Sequence, residues 1–154
     1  MKSKIHEFQK KKNMFMSKRI LLIAILANPF LSKGQHTFSI VAVDSITGEI
    51  GSAGATCGDS IRWPGTPGAK IISDILPGIG AIHTQSYHHQ TNQNNARTRM
   101  KAGDAPKDII TWLVANDVQG DPTIRQYGIV TLNGGRPKSA GYTGSACMDY
   151  KNHI

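Results

Sequence analysis

The order of strand-like and helix-like segments after residue 36 most constrains the fold of this chain. Runs rich in β-branched and apolar residues predict strands at 38–43, 49–56, 79–85, 127–132 and 138–143. Two segments between the third and fourth strands, 87–101 and 105–116, are predicted to be helices. Strands on both sides of a helical pair are typical of an α+β layered fold.

Turn residues and a helix cap define the predicted limits of these elements. The stretch 44–48 predicts a turn that joins the first two strands into a hairpin, and 133–135 predicts a tight turn between the last two. The glycine- and proline-rich stretch 58–68 predicts an irregular loop. Asp104 is predicted to cap the second helix, whose buried side would carry Ile109, Ile110, Leu113 and Val114.

The positive charge of the chain lies almost entirely in its first 34 residues. The full sequence has 18 basic and 10 acidic side chains, a formal net charge of +8. Residues 1–34 hold eight of the basic side chains and one of the acidic ones, which leaves a net charge of +1 for residues 35–154. Domains that bind nucleic acid normally carry a basic patch or stripe. The sequence after residue 34 therefore argues against nucleic acid as a partner.

The first 34 residues have the order of a secretory signal peptide. A lysine-rich stretch precedes the apolar run Ile20–Ala27, and small residues follow up to Gly34. This run is too short to cross about 30 Å of hydrocarbon, so no stable membrane anchor is expected. We predict cleavage after Gly34, a mature domain over 35–154, and a secreted or periplasmic protein. If translation starts at Met14 or Met16, the 13 residues before Met14 are a start-site artefact.

Thr37 begins the first predicted strand almost directly after the predicted cleavage site. A threonine at a free N-terminus can act as a nucleophile, with its own α-amino group as the base. An α-amine has a pKa of about 8, so much of it accepts a proton at neutral pH. This chemistry requires Thr37 to be the first residue, whereas the predicted cleavage leaves Gln35 and His36 in front of it. The alternative is that Thr37 is only a β-branched strand residue.

Three histidines lie close together in the sequence, at His83, His88 and His89. Imidazoles at this density can bind zinc or copper. No acidic residue lies between Asp74 and Asp104, however, and the adjacent His88 and His89 would point in different directions on a helix. We therefore prefer surface histidines and predict no metal site. His83 can alternatively serve as an acid/base group at the end of a strand.

The loop after the second predicted strand is a further candidate for a binding site. It begins near Cys57 and carries Asp59 and Ser60 among glycines, and loops on a rigid scaffold often hold binding residues. Cys57 and Cys147 can form a disulfide in an oxidising compartment. They can equally be two buried thiols. The sequence leaves these two alternatives open.

Several segments, taken together, resemble a known family. They are His36–Asp44, Thr47–Gly51, Gly78–Gln85, Arg125–Val130 and Gly141–Gly144, with Cys147. The family is the one catalogued as domain of unknown function 1028 (DUF1028). The resemblance extends from Thr37 to the last residue and corresponds to the N-terminal part of a family domain. We therefore expect this chain to be truncated at its C-terminus.

The resemblance implies a fold like that of the N-terminal nucleophile (Ntn) hydrolases. Such a fold is an αββα sandwich, in which two antiparallel sheets lie between helical layers. Relatives that open with Met before a Thr-Phe-Ser segment would expose a threonine that matches Thr37. The resemblance thus implies Thr37 as a catalytic nucleophile, possible amidohydrolase activity and no cofactor.

The remaining expectations concern the walls of the site and the partners of the protein. The loop residues Cys57, Asp59 and Ser60 and the strand residues His83 and Gln85 are expected to line the binding site. The substrate is expected to be a small molecule or a compound derived from the cell envelope, and a homo-oligomer is left open. The alternative function is a non-catalytic envelope or extracellular binding module on the same fold.

Overall fold

The computed structural model describes residues 37–56, 68–149 and 151–154. The strands within these residues are β1 (Thr37–Val43), β2 (Ile50–Thr56), β3 (Ser73–Leu76), β4 (Gly80–Ser86), β5 (Arg125–Thr131) and β6 (Lys138–Thr143). The helices are α1 (Gln90–Lys101) and α2 (Pro106–Ala115). This set of strands and helices confirms the predicted α+β class. The predicted leader and the loop residues Cys57, Asp59 and Ser60 lie outside the described residues.

β3 is a strand that the sequence analysis did not predict. Its four residues include Asp74, which is buried, and the carboxylate of Asp74 accepts a hydrogen bond from Arg97 Nε of α1 at 2.7 Å. A buried charge requires such a partner, and this partner lies 23 residues away in the sequence. The local sequence around Asp74 therefore gives no sign of the partner that allows a carboxylate to occupy a buried strand.

α1 begins later than predicted, at Gln90 rather than at residue 87. Ser86 has a positive φ of 69°, which turns the chain away from β4 before the helix begins. His89 is the N-cap, and its Nδ1 accepts a hydrogen bond from the backbone N–H of Thr91 at 3.2 Å. Both features depend on a local backbone geometry that a helical pattern does not reveal.

The prediction that Asp104 caps α2 is wrong. The N-cap is Ala105, which makes no capping bond with its side chain. Asp104 lies one residue too early for that role, and its carboxylate instead pairs with Arg99 Nη2 at 2.7 Å. The apolar stripe of α2 is confirmed for Ile109, Ile110 and Leu113, which are buried, and Val114 is partly buried against them.

The strands form two antiparallel sheets. The larger sheet has the order β3-β4-β5-β6, and β1 and β2 form a separate hairpin, as predicted. Asp44 stabilises the turn of this hairpin, because its carboxylate accepts hydrogen bonds from the backbone N–H groups of Ile46 and Thr47 at 2.6 and 3.1 Å. Gly48 completes the turn with a φ of 75°, a conformation that favours glycine.

One face of the larger sheet carries the hydrophobic core. The strands contribute Leu76, Ile82, Tyr127 and Ile129 to this core, and the two helices contribute Ala96, Met100, Ile109, Ile110 and Leu113. Burial of one such large aliphatic side chain stabilises a fold by roughly 1.5–3 kcal/mol. The helices are thus held on the sheet by apolar contacts. Neither α1 nor α2 is long and apolar enough to span a bilayer.

A buried ion pair connects the helices to β5. Arg125 Nε donates to Asp117 Oδ2 at 2.8 Å, and both side chains are almost fully buried. Asn92 of α1 donates to the same carboxylate oxygen at 2.6 Å. The Arg125 guanidinium is the main reason that the pKa of Asp117 lies well below its usual range. These bonds fix the segment between α2 and β5.

The β1–β2 hairpin lies against the opposite face of the larger sheet. β1 contacts β4 and β5, and β2 contacts β3 and β4. Alternate residues of β1, beginning with Thr37, Ser39 and Val41, point into the layer between the hairpin and the larger sheet. The other side of the hairpin is exposed, with Phe38 at 65% and Ile40 at 62%. In the described residues, the helices therefore cover one side of the two stacked sheets.

Candidate functional site

A cleft of about 1120 Å³ runs beside β1 in the layer between the two sheets. All residues of β1 contribute to its lining, together with parts of β4, β5 and β6 and the segment Asn152–Ile154. In the described part of the chain β1 pairs only with β2. One edge of β1 therefore faces the cleft, which is wide enough for a small organic ligand.

A row of hydrogen-bonded polar side chains crosses the inter-sheet layer at this cleft. Ser39 donates to Gln85 Oε1 at 2.6 Å, and Gln85 Nε2 donates to Gln126 Oε1 at 2.6 Å. Gln126 Nε2 then donates to Thr143 Oγ1 at 3.0 Å, and Thr143 Oγ1 lies 3.0 Å from His153 Nδ1. We call these five residues, Ser39, Gln85, Gln126, Thr143 and His153, the polar row.

Strand register explains why the polar row is continuous. Gln85 of β4 lies opposite Gln126 of β5, which lies opposite Thr143 of β6. Residues in register on adjacent strands project from the same face of a sheet, with Cβ atoms about 5 Å apart. The row has no carboxylate or ammonium group, so it suits an uncharged polar ligand better than a charged one.

Thr37 lies at the start of β1 and lines the cleft. Its Oγ1 is 2.9 Å from Thr56 Oγ1, the hydroxyl of the residue that faces it across the hairpin. Because it precedes Ser39 by two positions, it faces the same inter-sheet layer. The structure thus places three predicted site residues, Thr37, His83 and Gln85, around one cleft.

His83 is the most deeply buried of these three residues. Only 2% of it is exposed, so the prediction of surface histidines is wrong at this position. Its Nε2 lies 2.6 Å from Ser52 Oγ, and Ser52 Oγ lies 2.6 Å from Ser73 Oγ. Burial lowers the pKa of His83 to about 4, because the interior disfavours the charged imidazolium. His83 is therefore neutral at pH 7.

The other two histidines have separate environments. His89 caps α1, and His88 is partly buried, which lowers its pKa. Among the described residues, no group of three or more His, Cys, Asp and Glu side chains is arranged to hold a metal ion. Cys147 has a free and buried thiol, and its Sγ lies 3.3 Å from the carbonyl oxygen of Arg125. This environment matches the buried-thiol alternative for Cys147.

Comparison with known families shows which family this chain belongs to. The family described as "Family of unknown function (DUF1028)" matches residues 37–154. The chain belongs to the DUF1028 family. This result confirms the resemblance inferred from the sequence segments. No curated protein matches the chain.

A solved structure shares the fold of this DUF1028 chain. It is the crystal structure of protein SPO2555 from Silicibacter pomeroyi, also a DUF1028 protein, with a TM-score of 0.62 and 24% sequence identity. The similarity covers 77% of this chain and 49% of the Silicibacter pomeroyi chain. This DUF1028 chain therefore spans about half the length of that relative. At this identity the comparison supports the fold alone.

Several polar residues that line the cleft of this DUF1028 chain, or connect to its lining through hydrogen bonds, were missed by the sequence analysis. They are Ser39, Ser52, Ser73, Gln126 and Thr143. One usable signal was present: Thr37 and Ser39 are polar at alternate positions of β1, where an inward-facing strand normally carries apolar residues. The others gave no local signal, because their partners lie 10 to 41 residues away.

Proposed function

We propose that this DUF1028 chain is an exported hydrolase of the Ntn type that cleaves an amide bond with Thr37 as its nucleophile. The observation that carries the proposal is the position of Thr37. It is the first residue of β1, and it lines a cleft together with His83 and Gln85. Cleavage of a signal peptide near Gly34 would place the new N-terminus close to Thr37, and removal of Gln35 and His36 would then expose the α-amine of Thr37.

The stacked sheets support an Ntn-hydrolase-like αββα sandwich as the complete fold. The β1–β2 hairpin lies on one face of the larger sheet, and the helices pack on the other. In such a sandwich, a second helical layer would pack on the outer face of the hairpin. Phe38 and Ile40 are exposed on that face, at 65% and 62%, and would supply apolar contacts for it.

The proposed reaction has two steps. The α-amine of Thr37 accepts the proton of Oγ1, and Oγ1 attacks the amide carbonyl carbon. The carbon–nitrogen bond then breaks, the amine leaves with the proton, and water hydrolyses the resulting ester. Hydrogen-bond donors near the carbonyl would stabilise the oxyanion. This reaction requires no cofactor.

The remaining predicted residues form the walls of this proposed site. His83 and Gln85 border the cleft, and Cys57, Asp59 and Ser60 belong to the stretch that follows β2 in the sequence and is predicted to be a loop. The polar row favours an uncharged polar substrate, such as a small amide or an envelope-derived compound. The proposed location is secreted or periplasmic, as the leader predicts.

A non-catalytic binding module is the second candidate function. It is favoured by one specific observation: 36 residues precede Thr37 in the sequence, so its nitrogen is an amide until those residues are removed. An amide nitrogen cannot act as the base. The same cleft and polar row would then bind an exported ligand without chemistry.

The two candidates are separated by the N-terminus and by a chemical probe. We would export the full chain, determine its first residue by intact mass and terminal sequencing, and treat it with a peptide epoxyketone. This reagent closes a ring only with a hydroxyl and a free α-amine on the same residue. An Ntn hydrolase begins at Thr37 and is labelled there.

Matched variants sharpen this test. Thr37→Ser keeps the hydroxyl and is expected to retain labelling, whereas Thr37→Val keeps the shape and is expected to lose it. Thr56→Val removes the neighbouring hydroxyl but leaves the nucleophile, so labelling persists. A mature chain that begins at Gln35 and reacts with no probe would reject the hydrolase and favour the binding module.

A further inference from the structure

The hydrogen-bonded group of Ser52, Ser73 and His83 lies outside the mechanism proposed for Thr37. Ser52 is on β2, Ser73 on β3 and His83 on β4, so three strands of two sheets meet there. Ser52 Oγ lies 2.6 Å from His83 Nε2 and 2.6 Å from Ser73 Oγ. A hydroxyl in hydrogen-bond contact with a neutral imidazole is the arrangement of a nucleophile with its base.

We propose that Ser52 is a second nucleophile of this protein, with His83 as its general base, and that it is acylated or phosphonylated by activated, uncharged esters. In the proposed reactive state, the hydroxyl of Ser73 donates to Ser52 Oγ, and Ser52 donates to His83 Nε2. This polarity requires the ring proton of His83 to be on Nδ1. Ser73 then acts as a positioning residue that holds the Ser52 hydroxyl toward the imidazole.

The cleft reaches the His83 side of this pair. His83 lines the cleft, and so does Gly128, which lies directly opposite His83 on β5. A Cβ atom at Gly128 would meet His83 Cβ and Val41 Cγ2, each at 3.9 Å. The absence of a side chain at Gly128 therefore leaves space for about one carbon atom between Val41 and His83. Val41 also lies opposite Ser52 in the hairpin, so this space adjoins the nucleophile.

The environment of His83 sets the class of reagent. Burial keeps the imidazole uncharged at neutral pH, so Nε2 has a lone pair available for the proton of Ser52. The same burial makes His83 a weak base, because the imidazolium that forms is poorly solvated. A weak base is sufficient only where the leaving group departs easily. We therefore assign aryl esters and fluorophosphonates to this pair rather than amides.

With a fluorophosphonate, the Ser52 oxygen forms a bond to phosphorus, the phosphorus–fluorine bond breaks, and fluoride leaves with the bonding electron pair. The proton of Ser52 passes to His83 Nε2 and then to solvent. With an aryl ester, the oxygen bonds to the carbonyl carbon, the phenolate leaves and takes up the proton from His83. Water then hydrolyses the acyl-serine.

The test is labelling of the full chain with an alkyl fluorophosphonate, followed by peptide mass spectrometry. We expect one phosphonyl group on Ser52 of the wild-type chain. Ser52→Ala is expected to lose this adduct, and His83→Gln to form it roughly 100-fold more slowly, in line with the loss of a general base. Ser45→Ala, in the exposed hairpin turn, should label at the wild-type rate.

Two results would overturn the proposal without depending on the folding of a variant. The first is wild-type chain that carries no adduct, and the second is an adduct mapped only to residues other than Ser52. The proposal is also separable from the one made for Thr37. Thr37→Val should lose the epoxyketone adduct and keep the fluorophosphonate adduct on Ser52. Loss of both adducts in that variant would show that a single nucleophile accounts for both reactions.

Discussion

At the scale of single residues, the layer between the hairpin and the larger sheet is polar where a sandwich normally has an apolar core. The side chains of Ser39, Ser52, His83 and Gln85 all lie there and make hydrogen bonds of 2.6 Å. An unpaired polar group in such a place costs about 1–3 kcal/mol, so each bond is needed to offset burial. Residues retained at that cost are good candidates for binding or chemistry.

The titration of His83 gives a prediction about acid stability. Burial lowers its pKa from 6.5 to about 4. Between these values the unfolded chain binds a proton that the folded chain does not, so the free energy of unfolding falls as the pH drops from 6.5 to 4. The shift corresponds to about 3 kcal/mol. The loss should be visible in urea unfolding curves at pH 7, 5.5 and 4.

His83→Gln is the control for this prediction, because glutamine does not titrate. His88 also has a pKa lowered by burial and acts in the same direction. The difference between the wild type and His83→Gln therefore isolates the contribution of His83. Equal losses of stability in the two proteins would assign the acid sensitivity to other groups.

At the scale of elements, the close approach of β4 and β5 depends on Gly80. A Cβ atom at this position would overlap the carbonyl oxygen of Val130 and crowd the backbone of Thr131, which lies opposite. Backbone atoms in a central strand pair cannot move aside as a flexible side chain can. Gly80 is therefore required by the packing of the sheet.

Gly80→Ala is expected to destabilise the protein by about 2 kcal/mol or more, the cost of forcing extra volume into a packed site. Gly51→Ala is the matched control, since a Cβ atom on this exposed β2 residue meets nothing within 4 Å. The control should be neutral or stabilising by up to about 1 kcal/mol. Urea midpoints of the two variants check the prediction, and similar midpoints would contradict it.

At the scale of the whole described fold, the two faces of the larger sheet are held by different forces. The helices bury apolar side chains on one face, and hydrogen bonds from Ser39 and Ser52 connect the hairpin to the other. A typical hydrogen bond contributes only about 1 kcal/mol to stability. A two-stranded hairpin is also marginal without packing. The hairpin should therefore open more readily than the central strands.

Hydrogen exchange of the full chain tests this difference. Amides in β4 and β5 should be the most protected, and those in β1 and β2 should exchange on the order of tenfold faster or more. Ser39→Ala removes the bond to Gln85 and should widen the gap, whereas Thr111→Ala, on the exposed side of α2, should leave it unchanged. Equal protection of the hairpin and β4 would show that they open as one unit.

Most of the fold could be predicted because its signals are local. β1, β2, β4, β5 and β6 are runs of β-branched or small residues with turn residues between them, and α2 has a four-residue apolar spacing. The exceptions are β3 and the ends of the helices. They depend on the Asp74–Arg97 pair, the positive φ of Ser86 and the Arg99–Asp104 pair, which no local pattern encodes.

The features of the candidate site likewise fall into those that the sequence predicts and those that only the structure shows. The sequence by itself determined that Thr37 begins a strand, that His83 and Gln85 share a later strand, and which family the segments resemble. Only the tertiary structure decided that these residues meet at one cleft and that Ser52 lies against His83. The reason is physical: a hydrogen bond between strands depends on register and on the stacking of two sheets. Both arise from contacts between residues far apart in the chain.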